Sequence, residues 1–179
     1  MTGQTGAMVL TGRAGRALAA GYVSRLACVD DAATMAALHV DVWRATYTGV
    51  MRQEVLDALD PVAAAERWRN FMGSAAWDRT VWVGVDPQGE VVAMASAGPA
   101  RDDDAPTHHE LRAINVSPRA QGSGLADLMM RDLVGDDPAY LWVVESNARA
   151  IAFYARHGFI AHDRRWDESC GVHELRMVR

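Results

Sequence analysis

The chain has 179 residues, 50% of them hydrophobic and 23% charged, which is the balance of a globular domain long enough to bury a real core. A net charge of -5 argues against a broad nucleic-acid surface, and no apolar run approaches the roughly 20 residues of a membrane span. Two distant cysteines, Cys28 and Cys170, fit no metal or redox spacing, so a reducing cytoplasm is the expected setting.

Residues 1–20 carry Arg13 and Arg16 among Gly, Ala and Thr. Their apolar stretch is too short and broken for a secretory signal, so a loose leader is expected ahead of one domain at 21–179, with Met8 as an alternative start. "YVSRLACV" (22–29) alternates as an opening strand, and "DDAATMAALHVDVW" offers acidic caps before helix formers. "TGVMRQEVLDALDP" reads as a loop and a short helix. Asp60 and Pro61 restart a helix as N-cap and first residue, with Ala65, Trp68 and Met72 on one face. "TVWVGVDPQGEVVAMASAG" is a hairpin about the turn "DPQG". "PARDDDAPTHH" follows as a loop too polar to pack, and "ELRAINV" is a strand closed by Pro118.

"GSGLADLMMRDLV" has helical spacing at Leu125, Leu128, Met129 and Leu133. "AYLWVVES" reads as a strand buried on both faces, and "NARAIAFYARHG" as a helix stopped by Gly158. The tail gives two strands around a turn near Gly171. This order predicts a mixed sheet covered by helices, of α/β (α+β) type.

The junction Gln121, Gly122, Ser123, Gly124, Leu125, Ala126 joins a strand directly to a helix. Backbone N–H groups there lack helical partners, the helix dipole is positive, and glycines let an anion approach closely. A pyrophosphate suits such a place; a purely structural turn is the alternative. No lysine follows Gly124, which excludes a P-loop. Only two of the three Rossmann glycines are present, which disfavours a nucleotide-binding oxidoreductase.

"VSPRAQGSGLA", then an apolar strand, then Asn147, Ala150, Phe153, Tyr154, Gly158 and Phe159 together resemble the GNAT superfamily of acyl-CoA-dependent N-acyltransferases. "VWRATYTGVMRQEVLDAL" resembles a further segment of many bacterial members, so the likeness spans about residues 22–179. Ser123 stands where a basic residue is common, and Ala126 replaces the more usual glycine. The resemblance implies a mixed, mostly antiparallel sheet of about six to seven strands with helices on both faces. It also implies acetyl-CoA as donor, with no metal, and a small-molecule or peptide amine as acceptor. A homodimer is implied by the family alone; nucleic acid and membrane are not expected partners.

On that resemblance, pyrophosphate rests on the amides of residues 121–126. Pantetheine runs along the strand ending at Val116, which splays from its neighbour, and the N–H of Asn115 or Val116 serves the oxyanion. Asn147 and Tyr154 are two turns apart on one helix face, with Ile151 between them. Asn147 either caps the helix or meets the cofactor, and the two roles are compatible. Tyr154 either packs in the core or hydrogen-bonds the departing thiolate.

The amine must lose a proton first, at a cost of about 4–5 kcal/mol for a lysine-like group and about 1 for an α-amine. Glu110 is the candidate base, against a solvated strand-end role; His108 and His109 stand beside it. Trp43 and Tyr47 are candidates for lining the acceptor site, and the acidic loop is a candidate for gathering a cationic acceptor. A non-catalytic acyl-CoA-binding module of the same fold is the alternative to an enzyme.

Overall fold

The computed structural model describes residue 18, residues 20–74 and residues 80–179; residues 1–17 and 19 of the expected leader lie outside the described residues. Leu18 itself packs beneath Leu125 and its neighbours.

Strand β1 (Val23–Leu26) leads into helix α1 (Ala32–Tyr47). Asp31 immediately precedes α1, but its side chain does not cap it. Its carboxylate turns back to take 2.7 and 2.8 Å hydrogen bonds from Arg25 and one of 2.8 Å from the Cys28 N–H. Burial alone would raise this carboxyl, and the Arg25 and Cys28 donors outweigh it and hold the group below the usual range. A short α2 (Gln53–Asp57) precedes α3 (Pro61–Met72), where Asp60 does cap, accepting from the N–H groups of Val62 and Ala63.

The expected hairpin is formed by β2 (Val81–Val85) and β3 (Val91–Pro99). The Gly89 N–H closes the turn on the Asp86 carbonyl at 3.0 Å. After β4 (His109–Val116) come α4 (Leu125–Leu133), β5 (Tyr140–Val144), α5 (Ala148–Arg156), β6 (Ile160–Asp167) and β7 (Val172–Val178).

The seven strands form one sheet in the order β1-β2-β3-β4-β5-β7-β6, antiparallel throughout except for β4 beside β5. Period-two alternation divides the core. Val83 and Met94 face Met35 and Leu38 of α1 and Met72 of α3. Trp82 and Ala95 face Leu125, Leu128 and Met129 of α4. Tyr154 and Ile151 of α5 join Leu111, Met130 and Val143 on that second face. The sheet is therefore mixed and covered by helices, as the order of elements predicts, and mostly antiparallel with helices on both faces, as the resemblance implies.

The loop after β3 differs from expectation, because it packs through its charges. Arg176, 4% exposed, holds Asp104 through both guanidinium nitrogens and also pairs with Asp163. Asp102 accepts from the Trp142 indole at 2.7 Å, and the N–H groups of Arg101 and Asp102 meet the buried Tyr140 hydroxyl. Polarity keeps a loop in water only when no buried cation or hydroxyl waits to satisfy it.

Candidate functional site

Strands β4 and β5 share a single bridge, Glu110 opposite Tyr140. Beyond it β4 continues along β3 and β5 continues along β7, so the two strands diverge toward their C-terminal ends. The wedge opens into a cleft of ≈ 1050 Å³ that runs from the glycine junction past α5 to the end of α1.

Which backbone groups face the wedge follows from one hydrogen bond. The Ser117 N–H donates to the Val92 carbonyl at 2.9 Å, toward β3. Alternation along the strand turns the Asn115 N–H the same way and leaves those of Ile114 and Val116 pointing into the gap. The Val116 carbonyl agrees, since it accepts from the Gln121 side-chain amide on the open side at 3.3 Å. Of the two expected oxyanion donors, Val116 therefore has its N–H aimed into the cleft. Asn115 is buried, and its side chain meets the His39 ring at 3.4 Å.

The junction is built to leave donors open. Gly84 of β2 lacks the Cβ that would lie 2.7 Å from the Leu125 side chain, so Leu125 seats against the sheet and fixes the start of α4. Gly122 (φ +77°) and Gly124 (φ +83°) are left-handed, a conformation that L side chains rarely adopt. No side chain caps α4. The Ser123 Oγ donates to the Ala120 carbonyl at 2.7 Å and accepts from the Leu125 N–H at 3.3 Å. Those contacts hold the turn and take two expected residues, Ser123 and Leu125, into its framework. The N–H groups of Gly122, Gly124 and Ala126 have no acceptor among the described residues. A Cβ on Gly122 would meet nothing within 4 Å. This is an electropositive cradle with space above it.

Helix α5 forms the opposite wall. The Asn147 side chain caps it, accepting from the Ala150 N–H at 3.1 Å, while its amide donates to the Tyr47 hydroxyl at 3.4 Å. Capping and a place in the cleft thus coincide in one residue. Asn147, Ala150 and Tyr154 line the cleft at i, i+3 and i+7. Ile151, expected between them, turns into the core instead. Tyr154 is 9% exposed, its ring against Phe153 and Phe159, and its hydroxyl has no hydrogen-bond partner among the described residues. Burial, helped by the nearby Tyr47 phenol, pushes the Tyr154 hydroxyl well above the ordinary tyrosine range, so it stays a neutral donor.

Trp43 and Tyr47 both line the cleft, edge to face at 5.6 Å, beside Met51. Glu110 lies apart from it. Its carboxylate is buried and held on both oxygens by Arg101, at 2.8 and 2.6 Å, in a smaller adjoining cavity. That pairing occupies both carboxylate oxygens, which favours an architectural role over direct proton abstraction from an amine.

Arg149 and Arg156 of α5, which are not among the expected site residues, line the cleft seven residues apart, and Arg149 hydrogen-bonds the Gln121 side chain. Their spacing on the Asn147 helix was the available signal. The positive charge that Ser123 lacks is thus offered from the facing helix. Asp167, Cys170 and Glu174 also line the cleft, from the β6–β7 hairpin, and no local pattern marks them.

Residues 36–159 match the family model described as the acetyltransferase (GNAT) family. The chain is 28% identical over 141 residues to the uncharacterized N-acetyltransferase YuaI of Bacillus subtilis (strain 168), covering 73% of this chain and 76% of that protein. Among solved structures, it is similar to a PaiA N-acetyltransferase of Thermoplasma acidophilum in complex with coenzyme A, with TM-score 0.66, 14% identity, and coverage of 87% of this chain and 97% of that one. A GCN5-related N-acetyltransferase of Kribbella flavida gives TM-score 0.63 at 20% identity, covering 89% and 97%. With the family model spanning the strand wedge, the glycine cradle and helix α5 together, this chain belongs to the GNAT family of acetyltransferases.

Proposed function

We propose that the protein transfers an acetyl group from acetyl-CoA to a primary amine by direct attack of the amine on the thioester. The observation that carries this reading is the continuity of one cleft through three features: the uncapped glycine cradle, the unpaired edge of β4, and Tyr154. The donor supplies an activated acyl group, and the residues do the rest. The amides of Gly122, Gly124 and Ala126 hold the pyrophosphate, with Arg149 and Arg156 adding positive charge from α5. The β4 edge pairs with the pantetheine arm as an added strand would, and Gln121 swings off the Val116 carbonyl to admit it. The Val116 N–H then meets the negative charge that develops on the thioester oxygen.

Tyr154 donates a hydrogen bond that strengthens as charge builds on the leaving sulfur. Its raised pKa makes it a poor source of a whole proton and a dependable source of a hydrogen bond. Trp43 and Tyr47 form the acceptor end. Glu110, ion-paired with Arg101 and set back from the cleft, holds the framework beside it.

Two measurements test the proposal. Acetyl-CoA and CoA should raise the melting temperature, while NAD should not. Thiol release from acetyl-CoA should then accelerate with at least one member of an amine panel, with the acetylated product seen by mass. Stabilisation by acetyl-CoA with no amine-dependent release would replace the enzyme with a binding module.

A further inference from the structure

The smaller cavity, ≈ 370 Å³, adjoins the main cleft, and Arg112, Trp142 and Glu174 line both. Of its seven wall residues, six are charged, three of each sign. Their charges cancel, but their pairings leave one over. Arg101 is spent on Glu110 at 2.6 Å. Arg165 holds Glu174 at 2.8 Å and stacks over Trp142 at 3.9 Å. Asp102 takes the Trp142 indole N–H and lies 3.9 Å from both Arg165 and Arg176.

Arg112 alone on this wall meets no carboxylate among the described residues. Its Nη2 donates to the Pro99 carbonyl at 3.0 Å, and its Nε is buried without a partner. The guanidinium lies over Gly98, where a Cβ would come within 2.9 Å of Nη2, so the glycine keeps its place open. A half-buried cation with no carboxylate partner and a buried, unpaired Nε, at the junction of two cavities, carries a cost that its one hydrogen bond does not offset.

We infer that Arg112 receives a carboxylate carried by the acceptor, so that the amine substrate is a small molecule bearing both an amine and a carboxylate. This rests on the acyltransferase reading above and adds the substrate class to it. The guanidinium fork matches a carboxylate in geometry. Three neighbouring carboxylates, Asp102, Glu110 and Glu174, disfavour a doubly charged phosphate in the same space. The cavity has the size of a small-molecule site. Arg112 lies four residues before Val116, about 13 Å along an extended strand. The acceptor therefore spans several bonds between its amine and its carboxylate.

The test uses the whole chain with acetyl-CoA and matched acceptors: β-alanine, γ-aminobutyrate and ε-aminocaproate against propylamine and hexylamine, with O-phosphoethanolamine as the phosphate arm. At least one amino acid should exceed its matched alkylamine about tenfold or more in kcat/KM. Arg112→Gln should cut that ratio about ten- to a hundredfold, through KM rather than kcat, and Arg112→Lys should restore part of it. Retained stabilisation of the variants by acetyl-CoA reports that they are folded.

Turnover of alkylamines with no carboxylate preference, or a preference that survives Arg112→Gln, overturns the assignment and leaves the reaction standing. Better use of O-phosphoethanolamine than of β-alanine overturns the carboxylate. Absence of thiol release with every amine overturns both the assignment and the reaction.

Discussion

Gly124→Ala separates the anion cradle from the fold that carries it. At φ +83° an L side chain costs about 1–2 kcal/mol. The new Cβ would lie 3.6 Å from the Leu18 side chain, an ordinary contact, so no steric cost adds to the backbone strain. For a chain of this size that is a fall in Tm of about 2–8 °C. The strain falls on a residue whose own N–H is one of those proposed to hold pyrophosphate, so relieving it turns that donor away. Losing one charge-assisted hydrogen bond there is worth about 1.5–3 kcal/mol, or roughly ten- to a hundredfold in acetyl-CoA affinity. Gly89→Ala is the control: φ is +87° and nothing lies within 4 Å, but the residue sits in the β2–β3 turn. The two variants should melt alike and bind differently. Thermal unfolding by circular dichroism and calorimetric titration with acetyl-CoA, well below both melting points, read the two quantities apart. Equal affinity in the two variants would refute the cradle.

Three further outcomes follow from α5. Tyr154→Phe should lower kcat about tenfold or more with little change in the acetyl-CoA KM, and should leave Tm nearly unchanged because the hydroxyl has no partner to lose. Burial and then Tyr47 raise this phenol, so its contribution to stability is full below the ordinary value of 10.0 and falls as pH climbs above it. Alkaline melts of Tyr154→Phe should therefore show a shallower loss than those of the parent. Asn147→Asp keeps an oxygen to cap α5 but removes the amide that donates to Tyr47, whereas Asn147→Ala removes both. Only the alanine variant should lose the cap, about 1 kcal/mol, seen as the lower Tm of the two.

The half of the site proposed for the donor is legible in the sequence because its parts are local. Gly122 and Gly124 lie between β4 and α4, past one short 3-10 turn at Pro118–Ala120, and Asn147 and Tyr154 share one helix, so spacing alone places each pair. The limit of that legibility shows at Ile151. Periodicity puts it on the same broad face as Asn147 and Tyr154, but a helix stripe has two flanks, and the core claims one of them. Likewise the strand pattern marks β4 without saying which N–H groups face the wedge. That depends on a register fixed across the strand by Ser117 and Val92.

The half proposed for the acceptor is illegible for the opposite reason. Glu110 stands at a suitable strand position for a base, yet Arg101, nine residues back, folds over to hold it. Glu174 reaches the cleft from the final hairpin and is held by Arg165 of the neighbouring strand. A residue's availability is set by its neighbours' pairings, and these pairings join segments that share no sequence pattern. Two carboxylates of the acidic loop are taken in the same way: Asp102 and Asp104 already answer Trp142 and Arg176. Subtracting every satisfied charge from this end of the cleft leaves Arg112, a strand residue that no motif distinguishes. The acceptor class proposed above rests on what the fold leaves unpaired, and only the folded arrangement shows which charge that is.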